Sequence, residues 1–188
     1  MENKKVIRGQ MKDTLSKLSK DQYKDNSKRI ANQLYEDTAW KEAKTIGITI
    51  SKPPEVATQQ IIKKAWEQGK KVAVPKCYPK EKKMVFRQIT EFSQLESVFY
   101  GLIEPKEEQT AVVEPEQIDL MMVPGLAYTL DGYRVGFGGG YYDRYLKNFH
   151  GNTLSLAFDC QIISYLDAES HDIPVSKIIT NHGVYETK

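Results

Sequence analysis

Histidine and cysteine are scarce in this 188-residue chain, and their scarcity excludes several kinds of site. The two cysteines, Cys77 and Cys160, stand far apart without C-x-x-C spacing, so neither a disulfide framework nor a zinc site is indicated. The three histidines, His150, His171 and His182, form no Ser-His-Asp or Cys-His pattern. The sequence therefore does not indicate a catalytic triad or a zinc centre.

A strong charge of one sign and a long apolar run are also missing. Lys plus Arg number 27 and Asp plus Glu 25, a net charge of +2, which argues against a dedicated nucleic-acid binder. No apolar run approaches the roughly 18 residues that span a bilayer, and the N-terminus lacks the apolar core of a signal peptide. We therefore expect a cytoplasmic protein without membrane association and, at this length, one domain over residues 1–188.

Alternating helical and strand patterns predict an α/β domain. Apolar residues at helical spacing predict two N-terminal helices, the second starting at the capping box formed by Ser19 and Gln22. Residues 106–117, rich in Glu, Gln and Pro, are interpreted as a solvated loop. We expect a mainly parallel, layered sheet. The predicted helices lie at 2–18, from 19 onward, 55–68 and 141–149, and the predicted strands at 45–50, 72–75, 84–89, 118–123, 154–158 and 178–180.

The most informative segment is rich in glycine. Six of the chain's 12 glycines fall within residues 124–144, and four of them within residues 136–140. Such a cluster can approach a ligand closely and point several N–H groups at one anion. It lacks the Gly-Lys-Ser/Thr of a P-loop and the spacing of a dinucleotide fingerprint. A nucleotide-phosphate site and a glycine-rich surface loop or hairpin both stay open, and the flanking Arg134 and Arg144 favour the first.

Residues 136–144, Gly-Phe-Gly-Gly-Gly-Tyr-Tyr-Asp-Arg, resemble the nucleotide loop of the 5-formyltetrahydrofolate cyclo-ligases, also called methenyltetrahydrofolate synthetases. Further landmarks of that family occur in the same order along essentially the whole chain. The resemblance implies a single three-layer α/β domain of the kind shared with sugar-phosphate isomerases and CoA transferases. The landmarks are Lys4 with Arg8, residues 54–58, residues 100–105, residues 119–125, and His171 with Asp172.

The resemblance also implies which residues bind ATP, Mg²⁺ and 5-formyltetrahydrofolate. For the oligomeric state we favour a monomer. Arg134, Lys4 and Arg8 are the implied catalytic residues, and Arg144 adds positive charge. The implied metal ligands are Asp143 and Asp172, and the implied folate-binding residues are Ile50, Glu55, Tyr100 and Tyr142. The implied nucleotide-binding residues are Lys4, Arg8, Arg134, Val135, Gly136, Phe137, Gly138, Gly139, Gly140, Tyr141 and Tyr142.

Without the resemblance, several of these residues also have a structural interpretation that involves no ligand. Lys4 and Arg8 project from one helical face, and most basic helical faces are simply solvated. Glu55 follows two prolines and is predicted to start a helix, where an acidic residue interacts favourably with the helix dipole. Asp172 stands in a turn that an Asx hydrogen bond could close.

The reaction implied by the resemblance is an ATP-dependent ring closure to 5,10-methenyltetrahydrofolate. Phosphorylation of the formyl oxygen creates a leaving group, and N10 then attacks the formyl carbon. Two other classes remain open. An isomerase or CoA transferase on a related fold would use Glu104 or Glu55 as base or nucleophile without ATP, and a nucleotide-sensing module would bind ATP without turnover.

Overall fold

An eight-stranded sheet forms the centre of the protein in the computed structural model, which describes residues 3–187. The α-helices of this region are α1 (Lys4–Ser16), α2 (Lys20–Glu36), α3 (Thr38–Glu42), α4 (Gln59–Glu67) and α5 (Tyr141–Leu146). The strands are β1 (Thr45–Gly47), β2 (Lys71–Tyr78), β3 (Lys83–Ile89), β4 (Leu95–Ser97), β5 (Ile103–Pro105), β6 (Ala111–Val113), β7 (Leu120–Met122), β8 (Ala127–Tyr128), β9 (Arg134–Val135), β10 (Asn152–Leu156), β11 (Lys177–Ile179) and β12 (Val184–Glu186). Short 3-10 helices lie at Phe92–Gln94, Phe99–Gly101, Glu107–Gln109, Pro115–Gln117 and Asp159–Gln161.

The strand order is β12-β11-β10-β7-β1-β2-β3-β6. The five central strands, from β11 to β2, pair in parallel. Antiparallel strands complete the sheet on both sides, β12 next to β11 and the β2–β3–β6 meander on the other edge. The predicted α/β class with a mainly parallel sheet is therefore confirmed.

Apolar side chains of successive strand residues point to opposite faces of the sheet and build two cores. Val72 and Val74 face the cluster that includes α1, α2 and α4, whereas Ala73 faces the cluster around α5. The same alternation separates Leu120 from Met121 in β7. Because both faces are covered, consecutive residues such as 72–74 of β2 and 120–122 of β7 are all apolar and buried, and the predicted layered arrangement is confirmed.

Two sequence predictions about local structure are wrong. The helix predicted at 55–68 begins only at Gln59, because residues 51–58 form a turn in which the Thr58 hydroxyl donates to the Thr49 carbonyl at 2.7 Å. Residues 106–117 are mostly exposed, as predicted, but they are not a loop throughout, since their middle forms the edge strand β6, which pairs with β3 and buries Val113. The predicted capping box at Ser19 and Gln22 is confirmed.

The two-stranded hairpin β8–β9 carries the chain from the central strand β7 into the glycine-rich loop. Gly132 turns this hairpin with φ +96, and an added Cβ would overlap the Val175 carbonyl oxygen. The Gly132 N–H also donates to the Thr129 carbonyl, and the Gly132 carbonyl accepts from the Val175 N–H, both at 3.0 Å. The hairpin is therefore fixed against the C-terminal part of the chain by close backbone contact.

We predict that Gly132→Ala lowers the free energy of unfolding by about 1–3 kcal/mol. Alanine is strained at this positive φ, and its Cβ would also overlap the Val175 carbonyl oxygen. Chemical denaturation measures the loss. Gly9→Ala is the matched control, since Gly9 lies inside α1 with no atom within 4 Å of an added Cβ. Gly9→Ala should instead raise the free energy of unfolding by up to about 1 kcal/mol, because alanine favours a helix more than glycine does. Equal stabilities for the two variants would contradict the assigned role of Gly132.

Candidate active site

The candidate site lies where parallel strands end. Residues 48–55 leave the carboxyl end of β1, and residues 123–142 leave the carboxyl end of the neighbouring strand β7. Ligands of open α/β sheets bind at this edge, because the loops that leave adjacent strands diverge there. Helix α1 packs against β8, β9 and the 3-10 helix at Asp159–Gln161, which brings its N-terminal turns to the same region.

The glycine-rich loop, residues 136–140, presents its backbone to solvent. Residues 137–140 are exposed, and within residues 3–187 none of their N–H groups has a hydrogen-bond acceptor. Gly138 and Gly140 have positive φ values of +110 and +68, a conformation that glycine adopts without strain. Successive free N–H groups in such a loop form a concavity suited to an anion.

Lys4 and Arg8 of α1 both reach this region. Arg8 Nε donates to the Gly136 carbonyl at 2.8 Å, and the Arg8 guanidinium carbon would lie 3.9 Å from a Cβ on Gly138. Lys4 Nζ lies 2.8 Å from Asp172 Oδ2 and 3.5 Å from Glu169 Oε1. Both side chains have partners distant in sequence, so the interpretation as a solvated helical face is wrong at these two positions.

The Lys4–Asp172 pair is largely buried, with the Asp172 side chain 5% exposed. Burial opposes ionisation of Asp172, but hydrogen bonds from Lys4 and from the Glu169 N–H outweigh it and lower the pKa of the carboxyl below its ordinary value. Burial likewise opposes the charge of Lys4, and Asp172 outweighs it and raises the pKa of the ammonium. The pair is therefore fully charged at neutral pH. Asp172 also accepts from the Glu169 N–H at 2.8 Å, three residues before it, and not from the N–H two residues after it that an Asx turn would use.

Arg134 is buried beneath the glycine loop, with its side chain 5% exposed. Its Nη2 lies 3.0 Å from Asp143 Oδ1, and its Nη1 donates to the Ile173 carbonyl at 2.7 Å. Asp143 Oδ1 also accepts from the Ile173 N–H at 3.1 Å. These contacts, hereafter the Arg134 clamp, tie the strand before the glycine loop to the helix after it and to the C-terminal segment. Sequence reasoning assigned Arg134 to the nucleotide and missed this structural role.

Arg144 has a comparable structural role at the other side of the loop. Its Nη2 donates to the Gly139 carbonyl at 2.8 Å and its Nε to the Lys82 carbonyl at 2.9 Å. The guanidinium carbon also lies 5.1 Å from the centroid of the Tyr141 ring. Arg144 therefore joins the glycine loop to the turn between β2 and β3.

The two carboxylates predicted to bind Mg²⁺ are brought to neighbouring positions. Asp143 is hydrogen-bonded to the backbone of Ile173, the residue that follows Asp172. Within residues 3–187 no group of three or more carboxylate, histidine or cysteine side chains is placed to hold a metal ion, although His171 Nε2 lies 3.5 Å from Asp172 Oδ1. Two carboxylates are nevertheless enough for Mg²⁺, which completes its shell with phosphate oxygens and water. The metal site stays a prediction.

Glu55 lies in the turn that follows β1, which forms the second part of the candidate site. Its Oε2 accepts from the Lys52 N–H at 3.0 Å, and the residue lies outside α4, so the predicted helix-start role is wrong. Burial raises the pKa of the Glu55 carboxyl above its ordinary value, although the Lys52 N–H acts in the opposite direction. The carboxylate in turn contributes to the raised pKa of Tyr23, Tyr128 and Tyr142, although burial is the larger cause at each phenol.

Tyr142 has a buried hydroxyl with no hydrogen-bond partner among residues 3–187. Burial raises the pKa of this phenol well above its ordinary value, so it stays a neutral donor. An unpaired buried hydroxyl is costly, and Tyr145 has a second hydroxyl of this kind among the described residues. Ile50, another predicted folate residue, packs partly buried against the first core.

Tyr100 is placed differently from the other predicted folate residues. Its side chain is completely exposed, with φ +58, at the tip of a loop that also exposes Phe99 and Leu102. The loop nevertheless lies beside the Glu55 turn, because a Cβ on Gly101 would be 2.7 Å from Lys52 Nζ. In this structure Tyr100 therefore lies beside the Glu55 turn without packing against it.

Together these features define an α/β enzyme-type site with two parts, an exposed glycine loop with free backbone N–H groups and a neighbouring turn that carries the Glu55 carboxylate. A family model described as the 5-formyltetrahydrofolate cyclo-ligase family matches residues 1–181. The chain therefore belongs to the 5-formyltetrahydrofolate cyclo-ligase family, and the resemblance predicted from the glycine loop is confirmed.

Individual relatives agree with this assignment. The chain is 30% identical over 190 residues to the probable 5-formyltetrahydrofolate cyclo-ligase of Caenorhabditis elegans, covering 95% of this chain and 92% of that protein. It is 32% identical over 148 residues to the 5-formyltetrahydrofolate cyclo-ligase of Escherichia coli K12, covering 77% and 81%. The structure of Aquifex aeolicus 5,10-methenyltetrahydrofolate synthetase superposes with a TM-score of 0.86 at 27% identity, covering 98% and 93%. Within residues 3–187, none of the helices combines the length and apolar character needed to cross a membrane.

We predict that Glu55→Gln stabilises the folded protein at neutral pH. The raised pKa of Glu55 means that the folded state holds its proton more tightly than the unfolded state, so the carboxylate costs stability once it ionises. The advantage of the variant should shrink as pH falls through the raised pKa towards the ordinary value of 4.5. Thermal melts from pH 4 to 8 test this, with Glu36→Gln as the control because the Glu36 side chain is 81% exposed. A pH-independent difference would contradict the prediction.

Proposed function

We propose that this protein uses ATP to cyclise 5-formyltetrahydrofolate to 5,10-methenyltetrahydrofolate, with ADP and phosphate as the other products. The observation that carries the proposal is the free N–H nest of residues 137–140, with Arg8 and Lys4 beside it. Such a nest suits the phosphates of a nucleotide, and the family to which the chain belongs supplies the folate.

The chemistry required is activation of an amide-like oxygen. The formyl oxygen attacks the γ-phosphorus of ATP, the bond from that phosphorus to the bridging oxygen breaks, and ADP leaves. The formyl oxygen is then part of a phosphate leaving group. N10 attacks the formyl carbon, loses its proton, and phosphate departs as the ring closes. The protein must mainly position the two substrates in line and neutralise charge, which agrees with a site rich in arginine, lysine and backbone N–H groups.

In this proposal each part of the site has a defined role. Lys4 and Arg8 bind phosphate oxygens, and residues 136–140 donate backbone N–H groups to them. Asp143 and Asp172 hold Mg²⁺, which would neutralise phosphate charge when bound. The Arg134 clamp keeps Asp143 in place, and its buried positive charge favours anions in the loop above it.

The second part of the site, the turn that carries Glu55 and the residues beside it, receives the ring system of the folate. Glu55 accepts hydrogen bonds from the ring N–H donors, and the buried hydroxyl of Tyr142 donates to the substrate. Ile50 supplies an apolar wall, and Tyr100 covers the substrate from the exposed loop. Flat apolar walls with a few polar groups are the usual form of such pockets.

The decisive experiment measures phosphate release with each substrate omitted in turn. Release that requires both ATP and 5-formyltetrahydrofolate, accompanied by a near-ultraviolet absorbance rise from the conjugated product, supports the proposal. Binding of ATP without release would indicate a nucleotide sensor. Activity without ATP would indicate an isomerase or CoA transferase that uses Glu55 or Glu104, and either outcome would sink the proposal.

For the folate pocket, we predict that Glu55→Gln raises the folate KM about 10- to 100-fold, the usual effect of losing a charged hydrogen-bond partner. The ATP KM should stay unchanged, because Glu55 does not contact the glycine loop. Steady-state kinetics with each substrate varied in turn measures both constants. A folate KM equal to that of the wild type would remove Glu55 from the pocket.

For the metal, we predict that Asp172→Asn and Asp143→Asn each require more Mg²⁺ for half-maximal rate. Asp143→Asn should also lower the melting temperature, because it leaves the buried Arg134 guanidinium without its carboxylate. Asp37→Asn is the matched control, since Asp37 forms a 2.8 Å pair with Lys177 that is as buried as the Lys4–Asp172 pair. Its Mg²⁺ midpoint should not move. Unshifted midpoints in all three variants would contradict the assignment.

A further inference from the structure

Lys76 is a largely buried ammonium that the proposed reaction leaves without a role. Its side chain is only 17% exposed, and it lies near the carboxyl end of β2, at the edge of the sheet where the parallel strands β1 and β7 also end. Lysine is rarely buried unless its charge is compensated or used.

The compensation around Lys76 is incomplete. Its carboxylate partner is Glu104 Oε1 at 3.7 Å, which is too long for a hydrogen bond, and within residues 3–187 Lys76 Nζ has no hydrogen-bond acceptor. Glu104 Oε2 is already used, since it accepts from the Cys77 N–H at 2.9 Å. Two other partly buried lysines form shorter ion pairs with buried aspartates. The nitrogen–oxygen distance is 2.8 Å in both Lys4–Asp172 and Lys177–Asp37. The ammonium of Lys76 therefore keeps donors available for a ligand.

The strand pairing places Lys76 beyond the end of β1. Strands β1 and β2 are parallel and their register ends with Gly47 opposite Ala73, so β2 continues to Lys76 past the point where the chain leaves β1 towards Ile50. Alternation along β2 puts Lys76 on the same face as Val72 and Val74, which belong to the core against which Ile50 packs.

Glu55 lies in the turn that follows β1, and Lys76 lies near the carboxyl end of the neighbouring parallel strand β2. The loops that leave the carboxyl ends of parallel strands gather at one edge of the sheet. Glu55 and Lys76 therefore offer an acceptor and a donor at the same edge, one from the turn after β1 and the other from the end of β2.

We propose that Lys76 is a further substrate-binding residue, which donates a hydrogen bond to an oxygen acceptor of the folate ring system. Glu104 positions it by holding its charge without taking its donors. Glu55 selects the N–H donors of the ring, and Lys76 selects an oxygen, so the two residues together would fix the orientation of the substrate. This inference rests on the proposed function for the identity of the substrate.

The test compares Lys76→Met and Lys76→Arg with Lys177→Met as the matched control. Lys177 is 18% exposed, pairs with the buried Asp37, and lies on β11. Calorimetry measures binding of 5-formyltetrahydrofolate without ATP, and steady-state kinetics measures both KM values. Lys76→Met should weaken folate binding about 10- to 100-fold and leave the ATP KM unchanged. Lys76→Arg, which keeps the charge and the donors, should recover most of the affinity.

Lys177→Met should lower the melting temperature while keeping wild-type folate affinity. The inference is overturned if Lys76→Met changes folate affinity no more than this control does, or if it weakens ATP and folate equally. Failure of the proposed function has a different signature, because the wild type itself would then release no phosphate with both substrates present.

Discussion

The glycine loop depends on the buried Arg134 clamp. A guanidinium beneath the surface is stable only with its hydrogen bonds satisfied, and here Asp143 and the Ile173 carbonyl satisfy it. These contacts connect the strand before the loop, the helix after it and the C-terminal segment that carries Asp172. The loop can leave its own N–H groups free for a ligand because its position is determined by a charge pair that lies outside it.

Four basic residues come near the loop, and each has a defined partner. Arg134 and Arg144 bind backbone carbonyls with planar guanidinium groups, which fix several donors at once. Arg8 of α1 likewise donates to the Gly136 carbonyl, whereas Lys4 pairs with the Asp172 carboxylate. Residue type alone does not predict these partners, because burial and tertiary packing decide them.

Local signals in the chain predicted a large part of the fold. The apolar runs of the central strands and the capping box at Ser19 depend on neighbouring residues, and both were identified correctly. Predictions failed where distant contacts override local preference. The helix expected from Glu55 starts later because the Thr58 hydroxyl bonds to the Thr49 carbonyl, and residues 106–117 contain a strand because β3 offers an open edge. Tyr100 is exposed although its segment was recognised correctly, since exposure depends on what packs against the loop.

The α/β class, the glycine loop and the family could be recognised from the sequence, because periodicity, glycine content and motif order are properties of the chain. Which charges meet depends on tertiary contacts. The Lys4 ammonium and the Asp172 carboxylate are 168 residues apart in sequence and lie at 2.8 Å, and Arg134 meets Asp143 instead of facing solvent. Lys76 approaches Glu104 through the contact of β2 with β5, and it lies past the end of β1 because β2 is the longer of the two paired strands. Pairings of this kind arise from strand register and helix packing, and no short stretch of sequence encodes them.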